Sequence, residues 1–181
     1  MEFSEVIKQR HSIRSYEESP IQKEELLLLL DNARLAPSWV NKQCWRFIVI
    51  TEKETIQQIT KYSSAINRWM KNVPCLILAC ADPTESGHNN DQDYYLVDTA
   101  IAMEHLILSA TNQGLGSCWI AGYNEEKIKE LLLIPKRIRI VAMTPIGRPK
   151  NQQSMREKVT KTLVRSTKRK SLEEIVHWEK W

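Results

Sequence analysis

The pattern of apolar and polar residues along the chain predicts a mixture of helices and strands. Apolar residues at helical spacing predict helices at residues 3–9, 19–35, 52–62, 94–112 and 124–133. Extended structure is predicted for shorter runs bounded by turn residues, at 45–51, 75–81, 117–123 and 137–144. Helices and strands that intermix in this way suit an α+β or α/β arrangement in three layers.

Three details of these elements follow from the same pattern. The helix over 19–35 is predicted to begin with Ser19 as a capping hydroxyl and Pro20 in its first turn. Alternating basic and apolar residues over 137–144 predict a strand with one wet face. The apolar face of the long helix over 94–112 is predicted to consist of Val97, Ile101, His105 and Leu108.

The bulk composition indicates one ordered domain that spans residues 1–181. Hydrophobic residues make up 42% of the chain, enough for a core, and no second core or internal repeat is visible. No apolar run approaches the roughly 20 residues of a membrane-spanning helix, so no membrane partner is expected. The first residues lack the features of an export signal, and we therefore expect a cytoplasmic protein. The four cysteines lack metal-ligand spacing, which favours reduced, buried thiols and no metal site.

The net charge of +4 is distributed unevenly. Residues 148–170 contain nine Lys or Arg residues and one Glu, so this stretch is strongly basic. A basic tail of this kind can bind nucleic acid, a membrane surface or a cofactor phosphate, or can simply be solvated. Because the stretch has no aromatic residue for base stacking and no recognised nucleic-acid motif, we expect no nucleic-acid partner.

Residues 10–14 read Arg-His-Ser-Ile-Arg and bring three anion contacts into five positions. Arg10 and Arg14 can donate bidentate, charge-assisted hydrogen bonds, and Ser12 can donate its hydroxyl proton to the same oxygens. Such donors suit a phosphate and the polar edge of an attached ring. A short basic cluster can equally be solvated surface, so its interpretation depends on the rest of the chain.

Blocks of sequence from one end of the chain to the other resemble the FMN-dependent nitroreductase family, and they occur in family order. Residues 10–14 are similar to the family pattern R-[RH]-S-x-[RK], and residues 36–47, APSWVNKQCWRF, are similar to APSxxNxQPWxF. Residues 114–122, GLGSCWIAG, are similar to GLGxxW-[IM]-G. Residues 145–149, PIGRP, are similar to a late strand ending in IGxP. Residues 168–178, KRKSLEEIVHW, are similar to the terminal R-[KL]-P-L-E-E-[IV]-V-H.

The chain departs from the family patterns at two positions. Cys44 and Ser171 stand where the family usually has proline. Neither position is expected to touch the cofactor, so the departures bear on local rigidity and not on flavin binding.

The resemblance implies an α+β fold, an α/β/α three-layer sandwich in which a mostly antiparallel central sheet carries helices on both faces. It also implies a homodimer with FMN at the interface between the subunits. In that arrangement a C-terminal arm, from about residue 150 to residue 181, packs on the partner subunit.

The same resemblance assigns cofactor-binding roles by position in the motifs. The phosphate, ribityl chain and pyrimidine edge of FMN are expected to contact Arg10, His11, Ser12 and Arg14. The same flavin is expected to be approached from the partner subunit by Pro37, Ser38, Trp39 and Asn41. One face or edge of the ring is expected to be covered by Trp119, Ile120, Ala121 and Gly122. The phosphate is also expected to contact Arg169, with Lys168 as a second donor.

The implied activity is hydride transfer from NADH or NADPH through the flavin to a small acceptor, such as a nitroaromatic or a quinone, by a ping-pong mechanism. No protein nucleophile or general base is required, because the cofactor carries the chemistry and Arg14 stabilises negative charge on the reduced ring. The alternatives are reductive dehalogenation or flavin cleavage on the same fold. A flavin carrier without turnover and a nucleic-acid-binding module that uses residues 148–170 are the alternatives from other classes.

Overall fold

The computed structural model describes residues 1–150 and 169–181. Its α-helices are α1 (Phe3–Gln9), α2 (Lys23–Ala33), α3 (Lys53–Lys61), α4 (Tyr94–Asn112) and α5 (Glu125–Leu132). Its strands are β1 (Trp45–Ile50), β2 (Cys75–Ala81), β3 (His88–Asn89), β4 (Gln92–Asp93), β5 (Gly116–Ser117) and β6 (Arg139–Gly147). Short 3₁₀ turns lie at Trp39–Asn41, Ala65–Asn72 and Pro83–Glu85.

Four of these strands form one antiparallel sheet in the order β1-β2-β6-β5, and β3 and β4 form a separate small hairpin. The register between β2 and β6 shifts between Ala79 and Cys80, which marks a β-bulge. The two central strands are long and apolar, since β2 is buried along its whole length and β6 is exposed only at Arg139. A strand covered on both faces reads as a continuous apolar run.

The side chains of β2 alternate between two hydrophobic clusters, one on each face of the sheet. On one face Leu76 and Leu78 pack with buried residues of α3 and α5, namely Ile56, Ile59 and Ile128. On the other face Cys75 and Ile77 pack with buried residues of α2 and α4, namely Leu26, Leu29, Leu106 and Ala110. The predicted α+β, three-layer fold with helices on both faces of an antiparallel sheet is therefore confirmed.

The predicted start of helix α2 and the predicted wet face of strand β6 are wrong. Helix α2 begins at Lys23 and not at Ser19, because the capping box is formed by Gln22 and Glu25. The backbone amide of Gln22 donates to the Glu25 carboxylate over 2.9 Å. Strand β6 has no wet face beyond its first residues, because it lies inside the sheet between two other strands and under both helical layers.

The bounds of α4 agree with the prediction, but its predicted apolar face is wrong. Val97 is 44% exposed, and Ile101, His105 and Leu108 are only partly buried. The buried face consists of Tyr95, Asp98, Thr99, Ala102, Met103, Leu106, Ile107 and Ala110. Within residues 1–150 and 169–181, neither α4 nor any other helix combines the length and the hydropathy of a membrane-crossing segment.

All four cysteines are buried as free thiols, at Cys44, Cys75, Cys80 and Cys118. Burial raises the pKa of Cys75 and of Cys80 to about 12. The expectation of reduced, buried thiols is therefore confirmed.

Candidate functional site

Residues 10–16, which we term the anion segment, run alongside the short edge strand β5. Ser12 pairs with Ser117 in a parallel bridge, and the Ile13 amide donates to the Ser117 carbonyl over 2.8 Å. A side chain at Gly116 would place its Cβ 2.9 Å from Ile13, so only glycine allows the two backbones to approach this closely. The segment is thus held along the end of the sheet by backbone contacts.

The three predicted anion donors all act on one buried thiol beside this strand. Burial raises the pKa of the Cys118 thiol, whereas the charges of Arg14 and Arg10 and a hydrogen bond from Ser12 lower it. Their binding of a single anion stays a prediction.

Within the part of the chain that the structure describes, no carboxylate lies at ion-pair distance from Arg10 or Arg14. Arg14 makes one long hydrogen bond, from Nη1 to the Ser12 carbonyl at 3.4 Å. Glu104 of α4 interacts electrostatically with Arg10. Burial raises the pKa of Glu104, and the charges of Arg10 and His105 partly oppose this increase. Most of the N–H groups of the two guanidiniums are therefore available to a ligand.

A small cavity of about 130 Å³ opens beside Arg14. Its other lining residues include Trp69, Asn72 and Lys150. The Trp69 indole nitrogen is buried and has no hydrogen-bond partner among the described residues. Sequence reasoning missed Trp69 and Asn72, because no local motif marks them. His11 is exposed, with Nδ1 2.7 Å from the Gln9 carbonyl, so its contact with a cofactor stays a prediction.

Residues 37–43, which we term the left-handed loop, carry the second predicted group of site residues. Val40, Asn41 and Gln43 have φ angles of 46°, 55° and 53°. Such angles are uncommon for residues other than glycine, and they are most unfavourable for a β-branched side chain such as that of Val40. Inside the loop, the Gln43 amide donates to the Ser38 hydroxyl over 2.9 Å.

A buried carboxylate on α4 holds this loop. The Trp39 amide donates to Asp98 over 2.9 Å. The same carboxylate accepts hydrogen bonds from the Ser86 hydroxyl at 2.8 Å and from the Cys44 thiol at 3.8 Å. Burial and the charge of Asp98 raise the pKa of Cys44. Asp98 was also not predicted from the sequence, because no motif surrounds it in the largely apolar helix α4.

The Trp39 indole is fixed separately from its backbone. Its ring lies 4.5 Å from the ring of Tyr94, centroid to centroid, at an angle of 51°. A Cβ at Gly87 would lie 2.2 Å from the indole, so the absence of a side chain at Gly87 makes room for Trp39. The loop therefore presents Pro37 and Asn41 to solvent from an anchored base.

The third predicted group lies directly after β5. Ile120 forms two backbone hydrogen bonds with Met143, and its side chain is buried in the core, so only its backbone can face a cofactor. Trp119, Ala121 and Gly122 are exposed. The Gly122 carbonyl accepts a hydrogen bond from the Ser64 amide at 2.9 Å.

The structure brings the first and third groups together, since Ser12 pairs with Ser117 immediately before Cys118 and Trp119. Among the described residues, no hydrogen bond, ion pair or ring contact joins residues 10–14 to residues 37–41. Lys168 lies outside the described residues, and so does most of the predicted C-terminal arm. Arg169 is described and exposed, and its contact with a phosphate stays a prediction.

Known proteins resemble this chain in both sequence and structure. The Nitroreductase family pattern matches residues 7–148. A nitroreductase family protein from Clostridium novyi NT is 46% identical in a structural alignment with a TM-score of 0.80, which covers 83% of this chain and 87% of that one. An FMN-dependent nitroreductase from Clostridium difficile R20291 is 26% identical with a TM-score of 0.79, over 97% of this chain and 98% of that one.

The third relative is an FMN reductase [NAD(P)H] from Bacillus subtilis strain 168. It is 28% identical over 181 residues, which cover 89% of this chain and 72% of the relative. The sequence pattern and the fold agree, and the resemblance predicted from the motifs is confirmed. The chain belongs to the nitroreductase family.

Proposed function

We propose that this protein is an FMN-dependent oxidoreductase that takes hydride from NADH or NADPH and passes it to a small acceptor. Family membership and the names of the relatives support this activity, since they include an FMN-dependent nitroreductase and an FMN reductase [NAD(P)H]. The names bear out the predicted enzyme class and the predicted cofactors at the level of the family.

The observation that carries the proposal is that Arg10 and Arg14 lie on one extended segment, both act on the Cys118 thiol, and form no ion pair with a carboxylate among the described residues. Two cations on one short segment without an ion-pair partner favour an anionic ligand, because the ligand offsets their positive charge. Guanidinium groups match the oxygens of a phosphate in a bidentate geometry. The residues present therefore fit a flavin mononucleotide.

In the proposed site Arg10 and Ser12 bind the phosphate and the ribityl chain, and Arg14 lies against the pyrimidine edge. When bound, FMN supplies the redox chemistry, as the group that accepts and donates hydride. Arg14 stabilises the negative charge that reduction places on the pyrimidine side of the ring. The exposed Trp119 and the backbone of residues 120–122 cover the ring and help to exclude water.

We infer a ping-pong sequence, in which the nicotinamide leaves before the acceptor occupies the same place over the ring. The residues of this chain then have only to bind, orient and neutralise charge. A nitroaromatic or a quinone is the acceptor class that we propose, because both are planar and accept electrons without a protein nucleophile. Reductive dehalogenation and flavin cleavage remain alternatives on the same fold.

We also propose that the functional unit is a homodimer in which the left-handed loop of one subunit completes the flavin site of the other. Among the described residues, no hydrogen bond, ion pair or ring contact joins residues 10–14 to residues 37–41 of the same chain, which supports this arrangement. A second support is the outer face of α4, where Leu96 is 45% exposed and Val97 is 44% exposed, because apolar residues on an exposed helix face indicate a protein contact.

The C-terminal residues point to the same assembly. Leu172 is 71% exposed and Trp178 is 86% exposed, although large apolar side chains are seldom left in water at a chain end. We propose that the arm beginning near residue 150 covers the partner subunit, and that Arg169 reaches the phosphate from this arm. The reduced thiols and the use of NAD(P)H lead us to place the enzyme in the cytoplasm.

The colour of the purified protein tests the proposal most directly. We expect a yellow protein whose flavin absorbance bleaches when NADH or NADPH is added without oxygen, and recovers when a quinone is added. A yellow protein that does not bleach would be a flavin carrier without turnover. A colourless protein that gains no absorbance after incubation with FMN and gel filtration would contradict the proposal. Parallel lines in double-reciprocal plots are the expected sign of a ping-pong sequence.

A further inference from the structure

The left-handed loop is supported by hydrogen bonds within it, such as that from the Gln43 amide to the Ser38 hydroxyl, but its conformation goes against the local preference of Val40. Three of its residues have positive φ, and Val40 is β-branched and 81% exposed, so burial of its side chain does not offset the strain. Strained backbone of this kind persists only where the surrounding structure holds it, and it is concentrated at functional sites. Some contact outside residues 37–43 must therefore stabilise the conformation.

Asp98 supplies that contact. Its side chain is part of a residue that is only 3% exposed, and a buried carboxylate is tolerated only when hydrogen bonds replace its water. Two of its donors, Ser86 and Cys44, border the loop, and the third is the Trp39 amide inside it. Because α4 fixes the position of the carboxylate, the hydrogen bond at 2.9 Å fixes the position of the Trp39 backbone.

Gly87 contacts Trp39 independently of Asp98, through the indole ring. The Trp39 indole occupies the space that a Cβ at Gly87 would need, at 2.2 Å. The backbone and the side chain of Trp39 are thus held by two different elements. A change at either element should displace the loop without altering a residue that is proposed to touch the flavin.

We propose that Asp98 is a positioning residue for the flavin site, whose buried carboxylate holds the left-handed loop in the conformation that completes the site of the partner subunit. The inference rests on the proposed function, since it assumes that Ser38, Trp39 and Asn41 face a bound flavin. If the loop is already ordered before the cofactor binds, no binding free energy is spent on ordering it. If the loop is released from Asp98, part of the binding free energy must be spent on ordering it.

The test compares the Asp98→Ala variant with a matched Glu125→Ala control. Both residues are acidic and each accepts a backbone amide, since the Ile140 amide donates to Glu125 over 2.9 Å. Glu125 contacts α5 and β6 and none of residues 37–43. Each purified yellow protein is diluted, and the release of FMN is followed by the recovery of its fluorescence, while thermal unfolding reports the stability of the fold.

We expect Asp98→Ala to weaken FMN binding about tenfold, the loss that corresponds to one hydrogen bond to a charged group. Glu125→Ala should lower the unfolding temperature and leave FMN binding within about twofold of the native protein. Asp98→Asn should be milder than Asp98→Ala, because the amide oxygen still accepts from the Trp39 amide. Equal FMN affinities in Asp98→Ala and the native protein would overturn the proposal.

Two further variants keep the inference testable if Asp98→Ala does not fold. Gly87→Ala displaces the Trp39 indole and should reproduce the loss of FMN affinity with Asp98 intact. Val40→Gly, added to Asp98→Asn, should recover part of the affinity, because glycine adopts positive φ without strain. Native affinity in Gly87→Ala would count against the inference. A native protein that binds no FMN would instead refute the proposed function, so the two failures are distinguishable.

Discussion

The anion segment and the left-handed loop differ in what holds them. The anion segment is extended and is joined by backbone bridges to Ser117 of β5 and to Pro149. The left-handed loop contains three residues at positive φ and is held through a carboxylate that lies 59 positions away in the chain. One half of the proposed site is therefore held mainly by backbone pairing, and the other half by side-chain contacts of Trp39 and Asp98.

This difference predicts different responses to change. Strand pairing is spread over several backbone groups, so a side-chain substitution in the anion segment should alter binding and leave its conformation intact. The loop depends on few contacts, so substitutions far from it should alter its conformation. A variant that affects both halves together would show that they meet in one site.

The largest effect is expected from Val97→Glu on the outer face of α4. A carboxylate buried against a second copy would separate the subunits, and each flavin would lose the loop of its partner. Sedimentation should show a change from about twice 21.1 kDa to 21.1 kDa, and FMN affinity should fall by more than about tenfold. Leu27→Glu on α2, where the leucine is similarly exposed, is the control. A Val97→Glu dimer with full flavin would show that the two halves meet within one chain.

The next effect is expected from Arg14→Ala in the anion segment. The loss of one charge-assisted hydrogen bond to the pyrimidine edge should cost about 1.5–3 kcal/mol of FMN binding and should slow flavin reduction. Arg14→Lys should be milder, although the planar fork is lost. FMN titration and stopped-flow reduction measure the two quantities. The exposed Arg34, paired with Asp31, provides Arg34→Ala as a control that should change neither. Unchanged binding and reduction in Arg14→Ala would remove Arg14 from the site.

A smaller effect, confined to stability, is expected from Asp82→Asn at the border of the loop. Hydrogen bonds from Thr84 and Arg137 hold the pKa of Asp82 at about 2, and its backbone amide donates to the Cys44 carbonyl. Since this pKa lies below the unfolded value of about 3.9, the stabilisation is complete above about pH 5 and is lost as the pH falls through about 2.

Urea unfolding should therefore show Asp82→Asn less stable than the native protein by about 1–3 kcal/mol at pH 7. Most of the difference should be lost near pH 2, where the native carboxyl is about half protonated. Asp31→Asn, in an exposed pair, should show little difference at either pH. If the difference in free energy of unfolding between Asp82→Asn and the native protein were the same at both pH values, the carboxylate charge would not stabilise this region.

The smallest effect is expected from Leu133→Gly, which measures left-handed strain away from the site. Leu133 follows α5 with φ of 54° and is 89% exposed, so glycine removes strain and little buried area. We expect a gain of about 0.5–1 kcal/mol in the free energy of unfolding, with FMN binding unchanged. Leu35→Gly, at an exposed turn residue that has no positive φ, should lower stability. A loss of stability in Leu133→Gly would show that positive φ carries little strain here.

Sequence alone was sufficient where local chemistry decides the structure. The bounds of β2 follow from Pro74 and from the apolar run that ends before Asp82. The start of α5 follows from Asn124, whose side chain caps the helix by accepting from the Lys127 amide. The anion segment could also be recognised from the sequence, because its donors lie within five positions of one another. The start of α2 was missed because Ser19 and Gln22 both offer a capping group, and only packing chooses between them.

Sequence was insufficient where the choice depends on distant packing. Helix α4 is apolar on most of its surface, so helical spacing fits two faces, and the sheet selects the one with small residues such as Ala102 and Ala110. The interaction between Asp98 and Trp39 could not be predicted either, because neither residue signals the other along the chain. The positive φ of Val40 contradicts its local preference and is imposed by tertiary structure.

The burial of the thiols has a consequence for how this protein withstands oxidants. With pKa values of about 12, Cys75 and Cys80 are ionised in only about one molecule in 100,000 at pH 7. Peroxide attacks the thiolate and not the neutral thiol, and both side chains are also shielded from solvent by the sheet and its helices. This member of the nitroreductase family thus keeps these sulfur atoms in β2 in a form that peroxide oxidises slowly. The folded protein should react with thiol reagents at these two sites only as fast as it opens.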